Sequence, residues 1–180
     1  GSVNDKVTGT WEVMDGHNEK HNVIFSLGDN CFAYRIYKNH DVEGNAHIDA
    51  YVKDVNNKWK QATSSALPDD FFDGWHEISA VYDQTAKTLT IYVDGVANGA
   101  TDVPDAIAAS QALTPNIGYM SDKEYRKSQM GFSNVKVLTK ALSADELKAM
   151  SAGTSTLRDA DVAFWLDFSG ADRTDLDALL

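Results

Sequence analysis

The sequence predicts an all-β fold: a two-sheet antiparallel β-sandwich of the jelly-roll kind, with one short surface helix. Three observations predict it. Short apolar or alternating runs recur along the chain, separated by clusters of Gly, Asp, Asn and Lys. Helical periodicity is confined to one short segment. The chain has 180 residues, 43% of them hydrophobic, which suffices for one core without disulfide support.

The elements follow in order. Residues 23–27 form an apolar run closed by Gly28, Asp29 and Asn30, and residues 31–38 follow at once, so the two read as a hairpin. Residues 46–53 alternate cleanly and end in the turn at 54–57. Residues 75–82 and 88–93 form a second hairpin, with a turn at 83–87 between them and Asp94-Gly95 after it. Residues 116–120, 131–139 and 163–168 supply three further strands. The helix is read over residues 143–150. Ser143 is its N-cap, Glu146 three residues later completes a capping box, and Gly153 ends it. The Ala-rich stretch 105–112 is expected to hold a helical turn within a loop. Trp59, in a polar setting just after a turn, is expected to begin a strand covering the sandwich edge, with sugar stacking as the alternative.

Composition removes several function classes. The net charge of -11 argues against nucleic acid and against an anionic membrane surface. No run of about 20 apolar residues is present to span a bilayer. The single cysteine, Cys31, lies in an apolar strand and is expected to be a buried, inert thiol. Gly1 and Ser2 read as a scar of tag removal, residues 3–170 as the domain and residues 171–180 as a polar tail or linker.

Alternation sorts the strand residues onto two faces. Val23, Phe25 and Leu27, then Phe32, Tyr34 and Ile36, then Ile48, Ala50 and Val52 are expected to face the core. The opposite face then collects Ser26, Arg35, Tyr37, His47, Asp49 and Tyr51. That set suits a sugar. Arginine offers forked donors, aspartate accepts, and tyrosine supplies both a hydroxyl and a ring for a C–H face. The plain alternative is a solvated sheet face.

The segment 74–83, beginning Gly-Trp-His and ending Tyr-Asp, and the segment 87–95, ending Tyr92-Val93-Asp94-Gly95, resemble the central hairpin of laminin G-like modules. Residues 116–118, 131–137 and 138–147 resemble the closing strands and capping helix of that family, so the likeness runs from about residue 20 to residue 168. The resemblance implies a concanavalin A-like jelly roll in which Trp75, Ile78, Val81, Leu89, Ile91 and Val93 are mostly core. It extends to carbohydrate-binding modules of bacterial glycoside hydrolases, including β-galactosidases and sialidases. There the sugar usually sits on the concave sheet or its rim, helped by the loop before the last long strand. In this chain that loop spans 119–130 and carries Tyr119, Asp122, Tyr125 and Arg126 as binding candidates. His17 and Asn18, in a loop-like setting, are candidates to reach the same site.

The resemblance therefore implies a non-catalytic module that binds a glycan, galactose-containing at first guess. It would anchor a secreted or cell-surface bacterial hydrolase, as a monomer beside the parent's catalytic domain. No paired carboxylates stand at glycosidase spacing: Glu12, Asp15 and Glu19 are wrongly spaced for one strand face, and Asp69 and Asp70 are adjacent. No cofactor is expected. Calcium stays open, with Asp167 and Asp172, or Asp15 and Glu19, as oxygen donors. His17 and His21 are four apart but sit by a loop, which argues against zinc. The alternatives are a protein-interaction or spacer domain and, less favoured, a glycosidase on the same sandwich.

Overall fold

A computed structural model describes residues 2–8, 21–27, 32–37, 46–108, 115–118, 131–155 and 157–167. Among the described residues eleven strands form two antiparallel sheets packed face to face, a jelly-roll β-sandwich, with one α-helix. The strands are β1 (Ser2–Thr8), β2 (His21–Leu27), β3 (Phe32–Tyr37), β4 (His47–Lys53), β5 (Trp59–Thr63), β6 (His76–Asp83), β7 (Thr88–Val93), β8 (Val96–Asp102), β9 (Pro115–Ile117), β10 (Gly131–Leu138) and β11 (Val162–Asp167). The helix α1 spans Ala144–Ser151. The six-stranded sheet runs β11-β10-β1-β6-β7-β8, and the five-stranded sheet runs β5-β4-β3-β2-β9.

The core follows from alternation on the inward faces. Tyr34, Ile36, Ile48, Ala50 and Val52 from the five-stranded sheet meet Ile78, Ala80, Leu89, Ile91 and Val135 from the other. All of these are buried. Phe25, Phe32 and Tyr34 form an aromatic group with ring centroids 6.1–6.5 Å apart, within the range for favourable edge and tilted contacts.

Turn chemistry closes the hairpins. Asp94 and Gly95 both have positive φ, 50° and 74°, the backbone that a two-residue hairpin turn requires. Gly95 admits no side chain, since a Cβ there would lie 2.9 Å from the Lys148 side chain of α1. Asp83 Oδ1 accepts from the backbone N–H of Thr85 and Ala86 (2.8 and 2.9 Å), and Asp54 Oδ1 accepts from those of Asn56 and Lys58 (3.0 and 2.8 Å). These are side-chain mimics of a backbone turn.

Helix α1 lies on the outward face of the six-stranded sheet. Leu147 and Met150 pack there with Val81, Leu138 and Leu142 in a second apolar cluster. The capping box is formed: Ser143 Oγ accepts from the Glu146 N–H, and a Glu146 carboxylate oxygen accepts from the Ser143 N–H (2.8 Å).

The two sheets also meet along one side. Gly99 of β8 stands so close to β5 that a Cβ would lie 2.2 Å from the Thr63 carbonyl oxygen. Next to it the Ser65 N–H donates to Asn98, to both its backbone and side-chain oxygens, at 3.1 Å.

Several expectations change. A β-bulge between Val23 and Phe25 breaks simple alternation in β2. Ile24 and Phe25 therefore both enter the core, and Val23 lies opposite Arg35 on the outward face. Trp75, expected in the core, is 54% exposed, because the strand begins only at His76. Val81 is buried under α1 rather than between the sheets. No helical turn occupies the described part of 105–112, where Ile107 bridges Asp54. Strands β1 and β8 were not anticipated. Ser2 opens β1, opposite Leu138 and Val81. Cys31 lies outside the described residues.

Candidate functional site

The outward face of the five-stranded sheet carries a continuous polar and aromatic surface. Register sets it out in rows. One row runs Val23, Arg35, Asp49, Thr63 across β2, β3, β4 and β5. The next runs Asn116, Ser26, Ala33, Tyr51, Gln61 from β9 to β5. A third holds His21, Tyr37 and His47, and Lys53 faces Trp59 at the end of β4. Direct opposition across antiparallel strands brings the side chains of Arg35 and Asp49, and of Tyr37 and His47, within reach of each other.

Asp49 is the centre. Its side chain is 2% exposed, and both carboxylate oxygens are engaged. Gln61 Nε2 and Thr63 Oγ1 each donate to Oδ1 at 2.8 Å, and His47 Nε2 lies 3.5 Å from it. Arg35 donates to Oδ2 from Nε (3.3 Å) and Nη2 (3.1 Å), and the Tyr51 hydroxyl donates to it at 3.1 Å. Arg35 Nη2 also donates to the Tyr51 oxygen in a short contact. A buried charge is tolerable when it is paired and hydrogen-bonded in this way. Asp49 therefore acts on its neighbours: it fixes the arginine fork, the tyrosine hydroxyl and the glutamine amide in one arrangement.

Aromatic groups flank this network. The Arg35 guanidinium carbon lies 4.8 Å from the Tyr51 ring centre and 5.6 Å from that of Tyr37, within cation–π range. The Tyr37 and His47 rings are 5.0 Å apart. Tyr51 meets Trp59 edge-on at 6.1 Å, and Lys53 Nζ lies 5.5 Å from the Trp59 ring. Exposure grades across the face. Val23, Ser26 and Ala33 on the β2 side are buried, whereas Trp59, Gln61 and Thr63 on β5 are exposed.

Four expected site residues are thus brought together: Arg35, Tyr37, Asp49 and Tyr51. Tyr119, Asp122, Tyr125, Arg126, His17 and Asn18 lie outside the described residues. Gln61, Thr63 and Lys53 were missed in the sequence. Their signal was the alternation Trp59, Gln61, Thr63, legible only once β5 is seen to pair with β4. Trp59 does begin an edge strand, and it stays 45% exposed there.

This face holds one carboxylate among the described residues, and that one is fully engaged. Glycoside hydrolysis ordinarily needs two flanking the scissile bond. Among the described residues no three His, Cys, Asp or Glu side chains gather to hold a metal ion. Asp15, Glu19 and Asp172 lie outside the described residues, and Asp167 is exposed at the end of β11.

Comparison with known proteins adds the following. The family model described as the concanavalin A-like lectin/glucanases superfamily (Laminin_G_3) matches residues 8–148. No curated protein matches the chain by sequence. Among solved structures, a carbohydrate-binding protein of Bacteroides ovatus, itself described as putative, aligns with a TM-score of 0.68 at 15% identity. The match covers 94% of this chain and 45% of that one, so the chain spans less than half of that relative's length. The heptameric SAP-like pentraxin of Limulus polyphemus aligns at TM-score 0.62 and 14% identity, covering 94% of this chain and 79% of that one. The carbohydrate-binding module CBM40 of the Ruminococcus gnavus IT-sialidase aligns at TM-score 0.58 and 12% identity, covering 83% and 81%. That module has also been solved bound to α2,3-sialyllactose. At these identities the likeness establishes a shared fold.

Proposed function

The chain belongs to the concanavalin A-like lectin/glucanases superfamily, and from that premise we propose that it is a non-catalytic carbohydrate-binding module whose binding face is the outward side of the five-stranded sheet. One observation carries the reading: a guanidinium held between Tyr37 and Tyr51 by a buried carboxylate, beside an exposed Trp59. Such a face offers fixed donors for sugar hydroxyls and flat rings for a pyranose C–H surface. Arg35, Tyr37 and Tyr51 make contact with the sugar, with Trp59 and Gln61 at the open end. Asp49 positions them and does not itself bind. Tyr119, Asp122, Tyr125, Arg126, His17 and Asn18 are further candidate contacts.

Galactose-containing glycans are the first ligand class to test, and the setting is a secreted or cell-surface protein in which this module holds a glycoside hydrolase on its substrate. The carbohydrate-binding neighbours support a glycan ligand, without naming the sugar. The relative of more than twice this length is compatible with a module in a larger protein. Binding is shallow, with affinity in the millimolar to micromolar range, on the order of -4 to -8 kcal/mol. A glycan array followed by calorimetry with lactose and 3′-sialyllactose tests this. Arg35→Ala abolishes the heat of binding if the face is the site. A chain silent on the array, or one whose binding survives Arg35→Ala and Tyr37→Ala, refutes it. Release of reducing sugar from the bound glycan refutes the non-catalytic part.

A further inference from the structure

On the other sheet, a cleft of about 450 Å³ opens between α1, the segment that follows it and the edge strand β11. Its walls include Trp165, Lys136, Met150, Leu157, Asp159 and Ser155. The volume lies within the range of small-molecule sites, roughly 300–1,000 Å³. Trp165 gives it its character. The side chain is 54% exposed, yet it is fixed twice. Its indole Nε1 donates to Asn134 Oδ1 at 3.1 Å, and Lys136, its register partner on β10, places Nζ 5.0 Å from the ring centre. A large apolar ring left in solvent but held in one orientation is a preformed platform, because little rotamer freedom remains to be lost on binding.

The rest of the lining sets the ligand's chemistry. Met150 and Leu157 belong to the apolar cluster under α1, so the cleft floor is apolar. The rim carries one ammonium (Lys136), one carboxylate (Asp159) and one hydroxyl (Ser155). Asp159 is exposed and makes no side-chain hydrogen bond among the described residues. The formal charges of Lys136 and Asp159 cancel, in a protein whose net charge is -11. A polyanion is therefore disfavoured, and an extended apolar ligand leaves the Asp159 carboxylate unanswered. A pyranose fits both requirements: a C–H face for the indole, and hydroxyls that donate to Asp159 and accept from Lys136.

We propose that this cleft is a second saccharide site, separate from the five-stranded face and built around Trp165. The module is then bivalent, with one site on each sheet, and it holds a polyvalent glycan surface by avidity.

The test is amide and indole NMR of the ¹⁵N-labelled chain, titrated with lactose, 3′-sialyllactose and methyl glycosides of glucose, mannose and N-acetylglucosamine. The expected result is movement of the Trp165 indole N–H and the Gly153 and Leu157 amides, along an isotherm separate from that of residues 35–63. Trp59→Ala together with Tyr37→Ala leaves the Trp165 shifts in place. Trp165→Ala removes the shifts of the Gly153 and Leu157 amides, with core amides of Ile78 and Ile91 unmoved as the check on folding. Asn134→Ala frees the ring and weakens the site about three- to tenfold. If the five-stranded face responds while Trp165 stays silent with every sugar, the second site is overturned and the first reading stands. Loss of the Trp165 shifts in the Trp59→Ala/Tyr37→Ala variant also overturns it. Silence at both places overturns both readings.

Discussion

The two outward faces of this sandwich start from the same rule and are finished differently. On the six-stranded sheet, outward Val81 and Leu138 are covered by Leu147 and Met150 of α1. Apolar contact completes that face. On the five-stranded sheet the outward residues at the centre are polar, and they are completed by each other. Asp49 is as buried as a core residue, and what buries it is a ring of hydrogen-bonding side chains. The comparison teaches where specificity can sit. Where the helix lies, apolar contact closes one face, whereas the self-paired polar face stays open at its aromatic rim and holds its donors in fixed positions.

The largest effect should come from breaking the polar centre. Asp49→Ala leaves Arg35 beside His47 with no counter-charge, and breaking a buried pair costs about 3–5 kcal/mol. Urea denaturation should show that loss, and a change below about 1 kcal/mol would mean that the ring of donors is not what holds this face. Next comes Leu147→Ala on the opposite face. The side chain is fully buried, so about 2–4 kcal/mol of stability should go, while calorimetry shows glycan affinity unchanged at the five-stranded face. A parallel fall in affinity would mean that the two faces are coupled.

Smaller still is Trp59→Ala. It removes an exposed ring, so stability should move by less than about 1 kcal/mol, while sugar affinity drops about tenfold, or 1.4 kcal/mol. Equal losses in both would make Trp59 a structural cover. The smallest effect is with pH. The hydrogen bond from Lys140, then that from the Ser143 backbone, holds the Glu146 carboxyl below the ordinary glutamate range. Hydrogen bonds from Arg158 lower Asp161 in the same way. Groups with lowered folded-state pKa stabilise fully above their unfolded values, and that stabilisation is lost as pH falls through the folded ones. Thermal melts should therefore show a small loss beginning below roughly pH 4, and Glu146→Gln should reduce it. Both groups sit on the helix side of the molecule, so a sugar titration at neutral pH should not change in that variant.

Much of the architecture was legible because alternation is a strong signal where one face is buried. Strands β3, β4, β6 and β7 follow the residues that alternate, and Arg35, Asp49 and Tyr51 fall on one face as their spacing dictates. What was illegible has local causes. The bulge at Val23 shifts the phase of β2 by one residue, and nothing in an unbroken apolar run marks it. Strand β8 reads Val-Ala-Asn-Gly-Ala-Thr-Asp, with no large side chain to show a period. It exists because β7 precedes it through a tight turn and its glycine fits against β5. The site was half visible: alternation put Arg35 and Asp49 on one face, but the contribution of Gln61 and Thr63 depends on a pairing that only the fold supplies.

The close approach at Gly99 has a consequence for how molecules of this protein meet each other. β5 and β8 are each the last strand of a sheet, and such strands are templates for recruiting a strand from another chain. Here they stand together, with Gly99 against the Thr63 carbonyl and Ser65 bonded to Asn98. At Gly99 the two edges leave no room for an incoming strand between them. The glycine therefore blunts this side of the sandwich against recruitment of a strand from another chain.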